Sequence, residues 1–370
     1  MNTPANPAFD SGGDFTSAYQ VLTEALAAKA FPGCAFGVYA GGKVLLQEAL
    51  GSFTDEADAP KVKPETAFDI ASITKVLATT ALAMRLHERG QLDLEMPLGE
   101  ILPAFVVGRP QTQRARNVTL RHLLAHTSGL PGYVELYRTV STPECLLRAC
   151  LALPLEAEPG ARTEYSDMGF ILLGKAIEVL AGEPLDRLFR REIADPLGLR
   201  ASRFNPLPPE QPQIPPTEED TQLRHRRIQG EVQDEHAWLL GGVAGHAGLF
   251  SPVADLLRFA EAILQSAKGA SGLFAPETVA AFAERQPPSG SSRALGWDTP
   301  SPESSAGELF SQHSIGHLGY SGCSLWIDLD ADIAVVLLTN RTWPDCKNQM
   351  IRTVRPAFHN AVRKALGGGY

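Results

Sequence analysis

The sequence lacks the features of a membrane protein or a nucleic-acid-binding protein. Only 20% of its 370 residues are charged, and the excess of acidic over basic residues gives a formal net charge of −9. This sign argues against nucleic acid and anionic membranes as partners. The longest apolar runs, such as residues 333–338, have the length of a strand, whereas a membrane span needs about 20 residues. We therefore expect a globular protein with a small-molecule partner, no nucleic acid and no membrane.

Cysteine is also scarce. The five cysteines are scattered among apolar residues, and an odd number cannot all pair within one chain. We predict that they are reduced core residues, which is typical of the cytoplasm. Residues 1–7 do not resemble a signal peptide, because no basic segment is followed by an apolar one. They predict a cytoplasmic location, or a periplasmic one if a leader has been removed.

Several common enzyme motifs are missing. There is no G-x-S-x-G elbow of an α/β-hydrolase and no G-x-G-x-x-G dinucleotide motif. His122 and His126 have the spacing of two zinc ligands, but Leu123 stands where a metalloprotease has Glu, so we interpret them as core or turn histidines. His246, in a glycine-rich loop, is expected to hydrogen-bond to backbone. The sequence predicts no metal and no cofactor.

Hydrophobic spacing divides the chain into two ends with strands and a helical middle. Strands are predicted at residues 34–40, 43–50, 313–320, 324–328 and 333–339. Helices are predicted at residues 15–30, 73–86, 118–126, 141–152, 167–181, 185–193, 255–265, 276–285 and 345–366. Residues 205–216 hold six prolines and are expected to form an exposed loop.

This arrangement predicts an α+β fold, an α/β sandwich in which helices flank an antiparallel sheet. Because strands occur near both chain ends, both termini should contribute to that sheet. We predict a sheet subdomain of residues 1–80 and 245–370 and an all-helical inserted subdomain of residues 81–244.

The most informative local pattern is Ser72-Ile73-Thr74-Lys75, at the start of an apolar helix. Positions three apart lie on one helix face, which places the Ser72 hydroxyl beside the Lys75 amine. A neighbouring amine can take the hydroxyl proton, and the helix N-terminus favours the developing anion. The alternative is an N-capping serine with a solvated lysine.

Two further segments have the character that a Ser/Lys hydrolase requires. Tyr165 lies in a polar turn before an apolar helix, where its phenol could relay protons if Lys75 lowered its pKa. The alternative is a half-buried tyrosine beside a helix cap. Residues 315–326 form a strand-like segment with several glycines, which suits the close approach of a substrate to the backbone.

Ser72-x-x-Lys75, Tyr165-Ser166-Asp167 and His317-Leu318-Gly319 occur in this order, separated by 93 and 152 residues. The set resembles the penicillin-recognising serine hydrolases, in particular class C β-lactamases, related D,D-peptidases and esterases of that fold. Their motifs read S-x-x-K, Y-x-N and K-T-G or H-T-G. The similarity extends over about residues 20–365. It implies a β-lactamase/transpeptidase-like fold.

The resemblance also implies a role for each matched residue. Ser72 would be the nucleophile, and Lys75 and Tyr165 would share the general-base and general-acid roles. His317 would occupy the strand position that holds Lys or His in the family. The backbone N–H of Tyr320, after Gly319 in the same segment, would complete the oxyanion hole.

Two positions depart from the family pattern. Asp167 replaces Asn, which would donate to a substrate amide carbonyl, and an ionised Asp cannot donate. Leu318 replaces Thr, whose hydroxyl would help to hold a substrate carboxylate. Both changes weaken recognition of β-lactams and D-Ala-D-Ala peptides. Asp167 would also favour a protonated Lys75 and so shift the base role toward Tyr165.

The sequence therefore predicts a serine hydrolase that forms an acyl-enzyme on Ser72 and cleaves ester or amide bonds of small substrates. A true class C-type β-lactamase, a D,D-carboxypeptidase or a D-aminopeptidase remains an alternative. A non-catalytic ligand-binding module is a remote one, because Ser72, Lys75 and Tyr165 are all present.

Overall fold

The protein is described here by a computed structural model that covers residues 13–270 and 272–368. The N-terminal tail analysed at residues 1–7 lies outside the described residues. No helix in the described part is long and apolar enough to cross a membrane.

The central element is a five-stranded antiparallel sheet in the order β2-β1-β10-β9-β8. Two smaller sheets have the orders β3-β7-β4 and β5-β6. The strands are β1 Gly33–Ala40, β2 Lys43–Gly51, β3 Phe68–Asp69, β4 Arg203–Phe204, β5 Glu218–Asp220, β6 Arg226–Ile228, β7 Leu249–Ser251, β8 Ser314–Leu318, β9 Ser324–Asp328 and β10 Ile333–Thr339. The N-terminal hairpin thus pairs with C-terminal strands, and the predicted α+β fold is confirmed.

Most helices lie between β2 and β8 in the chain. The α-helices are α1 Thr16–Ala27, α2 Ala81–Glu88, α3 Leu98–Ile101, α4 Thr112–Arg116, α5 Leu120–Leu124, α6 Pro143–Ala152, α7 Asp167–Ala181, α8 Leu185–Phe189, α9 Asp195–Leu197, α10 Glu235–Leu239, α11 Val253–Ala267, α12 Pro276–Ala283 and α13 Ile351–Ala365. Short 3-10 or π segments occur at Ala71–Ile73, Lys75–Thr80, Pro103–Phe105, Leu136–Arg138, Arg190–Ala194 and Gln211–Gln213.

Helices cover both faces of the sheet, although the edge strand β2 is partly exposed. Helices α1 and α13 pack against each other and cover one face, while α11 packs against β1 and β10 on the other. All eight residues of β1 are buried, which explains its continuous run of small and apolar residues. The larger apolar cluster continues from the α11 side into the helical part of the chain. The boundaries of the two proposed subdomains remain a prediction.

Two predicted helices differ from the structure at their N-terminal ends. The segment at Ser72 starts as a 3-10 turn and a π segment before it becomes α-helical at Ala81. The last helix begins at Ile351, six residues later than expected. Residues 345–350 form turns instead, and the Arg341 side chain binds the carbonyl oxygens of Cys346 and Asn348 there.

Two further expectations, about the proline-rich loop and the cysteines, can be compared with the structure. Residues 205–216 form an irregular loop with one short 3-10 turn, as expected, although its last residues are buried. All five cysteines are free, but Cys145 is exposed and Cys346 is only half-buried, so the prediction that all are core residues is wrong for these two. Cys145 lies in α6, which turns this position toward solvent.

Candidate active site

The Ser72 hydroxyl lies at a tight turn beside a cleft. Ala71 has a positive φ of 46°, and its N–H is held by the Asp69 carboxylate at 2.8 Å. The following 3-10 turn presents the half-buried Ser72 side chain to a cleft of about 730 Å³. The Ser72 backbone N–H has no hydrogen-bond acceptor among residues 13–270 and 272–368, so it is available for an oxyanion.

Lys75 is fully buried and its ammonium has three polar partners. Its Nζ donates to Ser72 Oγ at 2.9 Å, to Asp167 Oδ1 at 2.6 Å and to the His246 carbonyl at 3.1 Å. Burial disfavours the charged ammonium, but the Asp167 carboxylate and Tyr165 outweigh this effect and raise the pKa of Lys75. The structure therefore brings Ser72 and Lys75 together as predicted, with the resting lysine protonated.

Tyr165 is positioned immediately before helix α7. The Ser166 hydroxyl caps that helix at Gly169 N, and the Ser166 N–H donates to the His126 ring at 3.0 Å. The Tyr165 ring packs on His126 with centroids 4.6 Å apart and lies 4.9 Å from Lys75 Nζ. These contacts place the phenol beside the Ser72–Lys75 pair.

The expected lowering of the phenol pKa is not the net result. Burial raises the pKa of Tyr165, although the nearby charge of Lys75 acts in the opposite direction. The resting phenol is therefore neutral. Lys75 and Tyr165, the two groups beside Ser72 that could take its proton, therefore both hold their own protons at rest.

Asp167 forms an ion pair with Lys75. Asp167 is the first residue of α7, two residues after Tyr165, and its 18% exposed side chain lines the cleft. An Asn at this position could donate a hydrogen bond to a substrate carbonyl. Here the Asp167 carboxylate binds Lys75 instead. The Asp167 carboxylate therefore contacts the same ammonium that contacts Ser72 Oγ.

His317 lies on β8 and faces the same cleft. Its Nδ1 lies 2.8 Å from the Leu318 carbonyl, while its Nε2 has no hydrogen-bond partner within the described residues. Burial and the nearby charges of Lys75 and Arg293 hold the pKa of His317 well below its usual range. The imidazole is therefore neutral and presents an unpaired nitrogen near the Tyr165 ring, 5.9 Å away between centroids.

The turn after β8 presents the second candidate oxyanion donor. The Gly319 N–H donates to the Cys323 carbonyl at 2.7 Å, so it is occupied within the turn. A Cβ at Gly319 would approach Ile70 O to 2.5 Å, which explains why glycine is required here. The Tyr320 N–H has no acceptor in the described part of the chain. Tyr320, rather than Gly319, is thus available to bind an oxyanion.

The cleft brings the separate sequence motifs into one site. The residues of the predicted motifs that line the cleft are Ser72, Tyr165, Asp167, His317, Leu318, Gly319 and Tyr320. Lys75 contacts Ser72 from behind this lining. Their positions follow from the junction of the Ser72 turn, the start of α7 and the edge strand β8.

Other residues at the site were not found from the sequence. Arg293 lies with Cζ 5.0 Å from the Tyr165 ring centroid, and Arg355 binds the turn that carries Tyr320. His126, interpreted as a core or turn histidine, is buried against Tyr165. No local spacing connects these residues to the motifs, because their contacts depend on the tertiary fold.

The histidines outside the motifs have varied surroundings. His122 completes a capping box with Thr119, which agrees with a turn role. The expected backbone hydrogen bond of the His246 ring is wrong, because its Nε2 lies 2.8 Å from the Asp234 carboxylate. It is the main-chain carbonyl of His246 that contacts Lys75.

Comparisons with known proteins show the family to which the chain belongs. The family model described as Beta-lactamase matches residues 19–355. An N-acetylmuramyl-L-alanine amidase of Bacillus subtilis is 30% identical over 85% of this chain and 78% of its own length. A putative D-alanyl-D-alanine carboxypeptidase of Salmonella typhimurium is 32% identical over 75% of this chain and 69% of its own. The structure of EstCE1, described as a hydrolase with promiscuous acyltransferase activity, has a TM-score of 0.74 at 25% identity and covers 93% of this chain and 97% of its own.

The fold and the family match define a hydrolase of the β-lactamase and penicillin-binding-protein type. The chain belongs to the Beta-lactamase family. The resemblance noted in the sequence is therefore confirmed.

Proposed function

We propose that this protein is a serine hydrolase that forms an acyl-enzyme on Ser72 and cleaves ester or amide bonds of small substrates. The observation that carries the proposal is the contact of Lys75 Nζ with Ser72 Oγ at 2.9 Å beside Tyr165. A hydroxyl, an amine and a phenol in one cleft can move the proton that acyl transfer requires.

In the proposed reaction, the Lys75–Tyr165 pair first loses one proton to water in the cleft. Ser72 Oγ then attacks the substrate carbonyl carbon and its proton passes to that pair. The resulting oxyanion is bound by the N–H groups of Ser72 and Tyr320. When the intermediate collapses, the same pair returns the proton to the leaving alcohol or amine. Water then attacks the acyl-enzyme by the reverse proton path and releases the acid.

His317 and Asp167 are proposed to adjust this chemistry. The neutral His317 ring can accept a hydrogen bond at Nε2 or shape the cleft beside the leaving group. Asp167 keeps Lys75 protonated at rest, so the base must form by loss of that proton. Asp167 and Leu318 lack the donors that hold β-lactam substrates, which favours simple esters and amides.

A D,D-peptidase or muramyl-amidase activity is the second candidate. The named relatives carry such activities in their descriptions, and the cleft contains the guanidinium groups of Arg293, Arg341 and Arg352. A cationic side chain could bind the carboxylate of a peptide substrate. A cytoplasmic location is also proposed, since five free cysteines suit a reducing compartment.

The test is labelling with a fluorophosphonate followed by peptide mass spectrometry, together with assays on p-nitrophenyl esters, nitrocefin and a D-Ala-D-Ala peptide. The adduct should lie on Ser72, and Ser72→Ala should lose about 10³-fold or more in kcat. Ser128→Ala is the matched control, because Ser128 is buried and its hydroxyl accepts from Leu130 N at 3.3 Å. An adduct elsewhere, or full activity of Ser72→Ala, would contradict the proposal.

A further inference from the structure

A cluster of ionisable side chains in the cleft wall has no role in the proposed acyl transfer. It consists of Asp234, His236 and His246, and one ligand atom from each lies within 4.8 Å of the others. Both imidazoles are buried, while Asp234 lines the same cleft as Ser72. The cluster is therefore reachable from the cleft but shielded on its other sides.

The polar atoms of this cluster are poorly satisfied within the protein. Asp234 Oδ1 lies 2.8 Å from His246 Nε2 and also accepts from Ala237 N. Neither ring nitrogen of His236, nor Nδ1 of His246, has a hydrogen-bond partner among the described residues. The Val134 carbonyl lies near His236 without forming an aligned bond. A buried polar atom without a partner destabilises the folded protein, so three unpartnered ring nitrogens together indicate that a polar group or ion belongs between these side chains.

The donor set suits a transition-metal ion. Two imidazoles and one carboxylate are ligands that Zn²⁺ binds, and three protein ligands leave one position open. Neither ring nitrogen of His236 has a hydrogen-bond partner within the described residues, so either nitrogen can serve as the ligand atom.

The loop that carries His246 is held in place by close packing. A Cβ at Gly245 would approach Phe170 O to 2.2 Å, and Gly248 has a positive φ of 121°. Asp234 is fixed in turn as the N-cap of α10. The three side chains are therefore presented by backbone that is already constrained, which reduces the ordering needed to bind an ion.

We propose that Asp234, His236 and His246 form a binding site for one divalent transition-metal ion, Zn²⁺ in the first instance, with its open coordination position toward the cleft. The site uses none of the groups assigned to acyl transfer. A protein with an inactive Ser72 should still bind the ion, so this proposal and the proposed function can fail separately.

The test is metal titration of the purified full-length protein after dialysis against a chelator. Zn²⁺ binding is measured by calorimetry, and Co²⁺ binding by the visible absorption of a low-coordinate cobalt site. We expect one ion per chain for the wild type and for Ser72→Ala. His236→Gln should weaken Zn²⁺ binding by at least about 10- to 100-fold, since even loss of a supporting partner has that effect.

His122→Gln is the matched control, because His122 is a partly buried imidazole bonded to Thr119 outside the cluster. It should bind the ion as the wild type does. If His236→Gln fails to melt cooperatively, Asp234→Asn carries the same test, since Asn also caps a helix. The proposal is overturned if the wild type binds no stoichiometric Zn²⁺, or if the folded cluster variant binds it as tightly as the wild type.

Discussion

Arg355 is expected to position the turn at residues 319–323, whose Tyr320 N–H is the second candidate oxyanion donor. It lies on α13, is 6% exposed and donates to three carbonyls of the turn at residues 319–323. Its Nη2 donates to Gly319 O at 2.6 Å and Cys323 O at 2.8 Å, and its Nε donates to Gly322 O at 3.1 Å. These bonds fix the segment that presents the Tyr320 N–H.

The size of the effect of Arg355→Met follows from these bonds. Gly319 O and Cys323 O keep a second donor within the turn, whereas Gly322 O loses the only donor identified for it in the described residues. Charge-assisted bonds of this kind contribute about 1.5–3 kcal/mol, so we expect a loss of stability of about 2–4 kcal/mol. Complete loss of an oxyanion donor costs about 10²–10³-fold in kcat, and a displaced donor should cost about 10- to 100-fold.

The assay compares kcat and KM on a p-nitrophenyl ester, and the affinity for a boronic acid that forms a tetrahedral adduct. All variants are measured below their melting temperatures. Arg363→Met is the matched control, because Arg363 is also buried on α13 but donates to Leu309 O, away from the turn. Both variants should lose stability, and only Arg355→Met should lose kcat and boronate affinity with little change in KM.

Arg355→Lys should restore part of the lost kcat, since an ammonium can reach one or two of the three carbonyls. The reasoning is refuted if Arg355→Met keeps the kcat and boronate affinity of the wild type. It is refuted equally if Arg363→Met loses as much kcat, because the effect would then reflect general destabilisation of α13.

Three further predictions concern the proton relay and the substrate. Asp167→Asn should move the rising limb of the pH profile of kcat/KM to lower pH, because Asp167 raises the pKa of both Lys75 and Tyr165; an unmoved limb would show that neither group is the titrating base. Lys75→Ala and Tyr165→Phe should each lose most of the kcat, and the double variant should be little worse than either. Additive losses, measured on the same ester, would indicate independent roles. Asp167→Asn combined with Leu318→Thr should raise nitrocefin hydrolysis relative to p-nitrophenyl acetate, whereas wild-type nitrocefin turnover above its best ester rate would favour a β-lactamase.

The sequence was most informative where function depends on short-range spacing. Ser72 and Lys75 are neighbours on one face of a helical backbone, and the order of the Tyr165 and His317 motifs supplied the rest of the candidate site. The sheet was predictable because β1 and β10 are continuous apolar runs, and the Gly41-Gly42 pair marks the hairpin turn between β1 and β2.

Contacts between distant segments could not be predicted in the same way. Arg355 reaches carbonyls 32 to 36 residues earlier in the chain, and Arg293 lies over the Tyr165 ring. Neither residue belongs to a motif, and an isolated arginine in a helix or loop is most simply solvated. Their roles follow only from the way α13 and the loop before β8 pack around the cleft.

The ion pair of Lys75 and Asp167 changes the interpretation of how Lys75 and Tyr165 share the acid and base roles. The sequence suggested that Asp167 shifts the base role to Tyr165, but burial also raises the pKa of that phenol. Both groups therefore rest as proton donors, which suits protonation of a leaving group better than activation of Ser72. Expulsion of an amine needs such a proton more than expulsion of p-nitrophenolate does. Asp167→Asn should consequently speed acylation by an activated ester more than cleavage of the matching amide, and an equal change in both would show that the resting protons of Lys75 and Tyr165 do not limit either step.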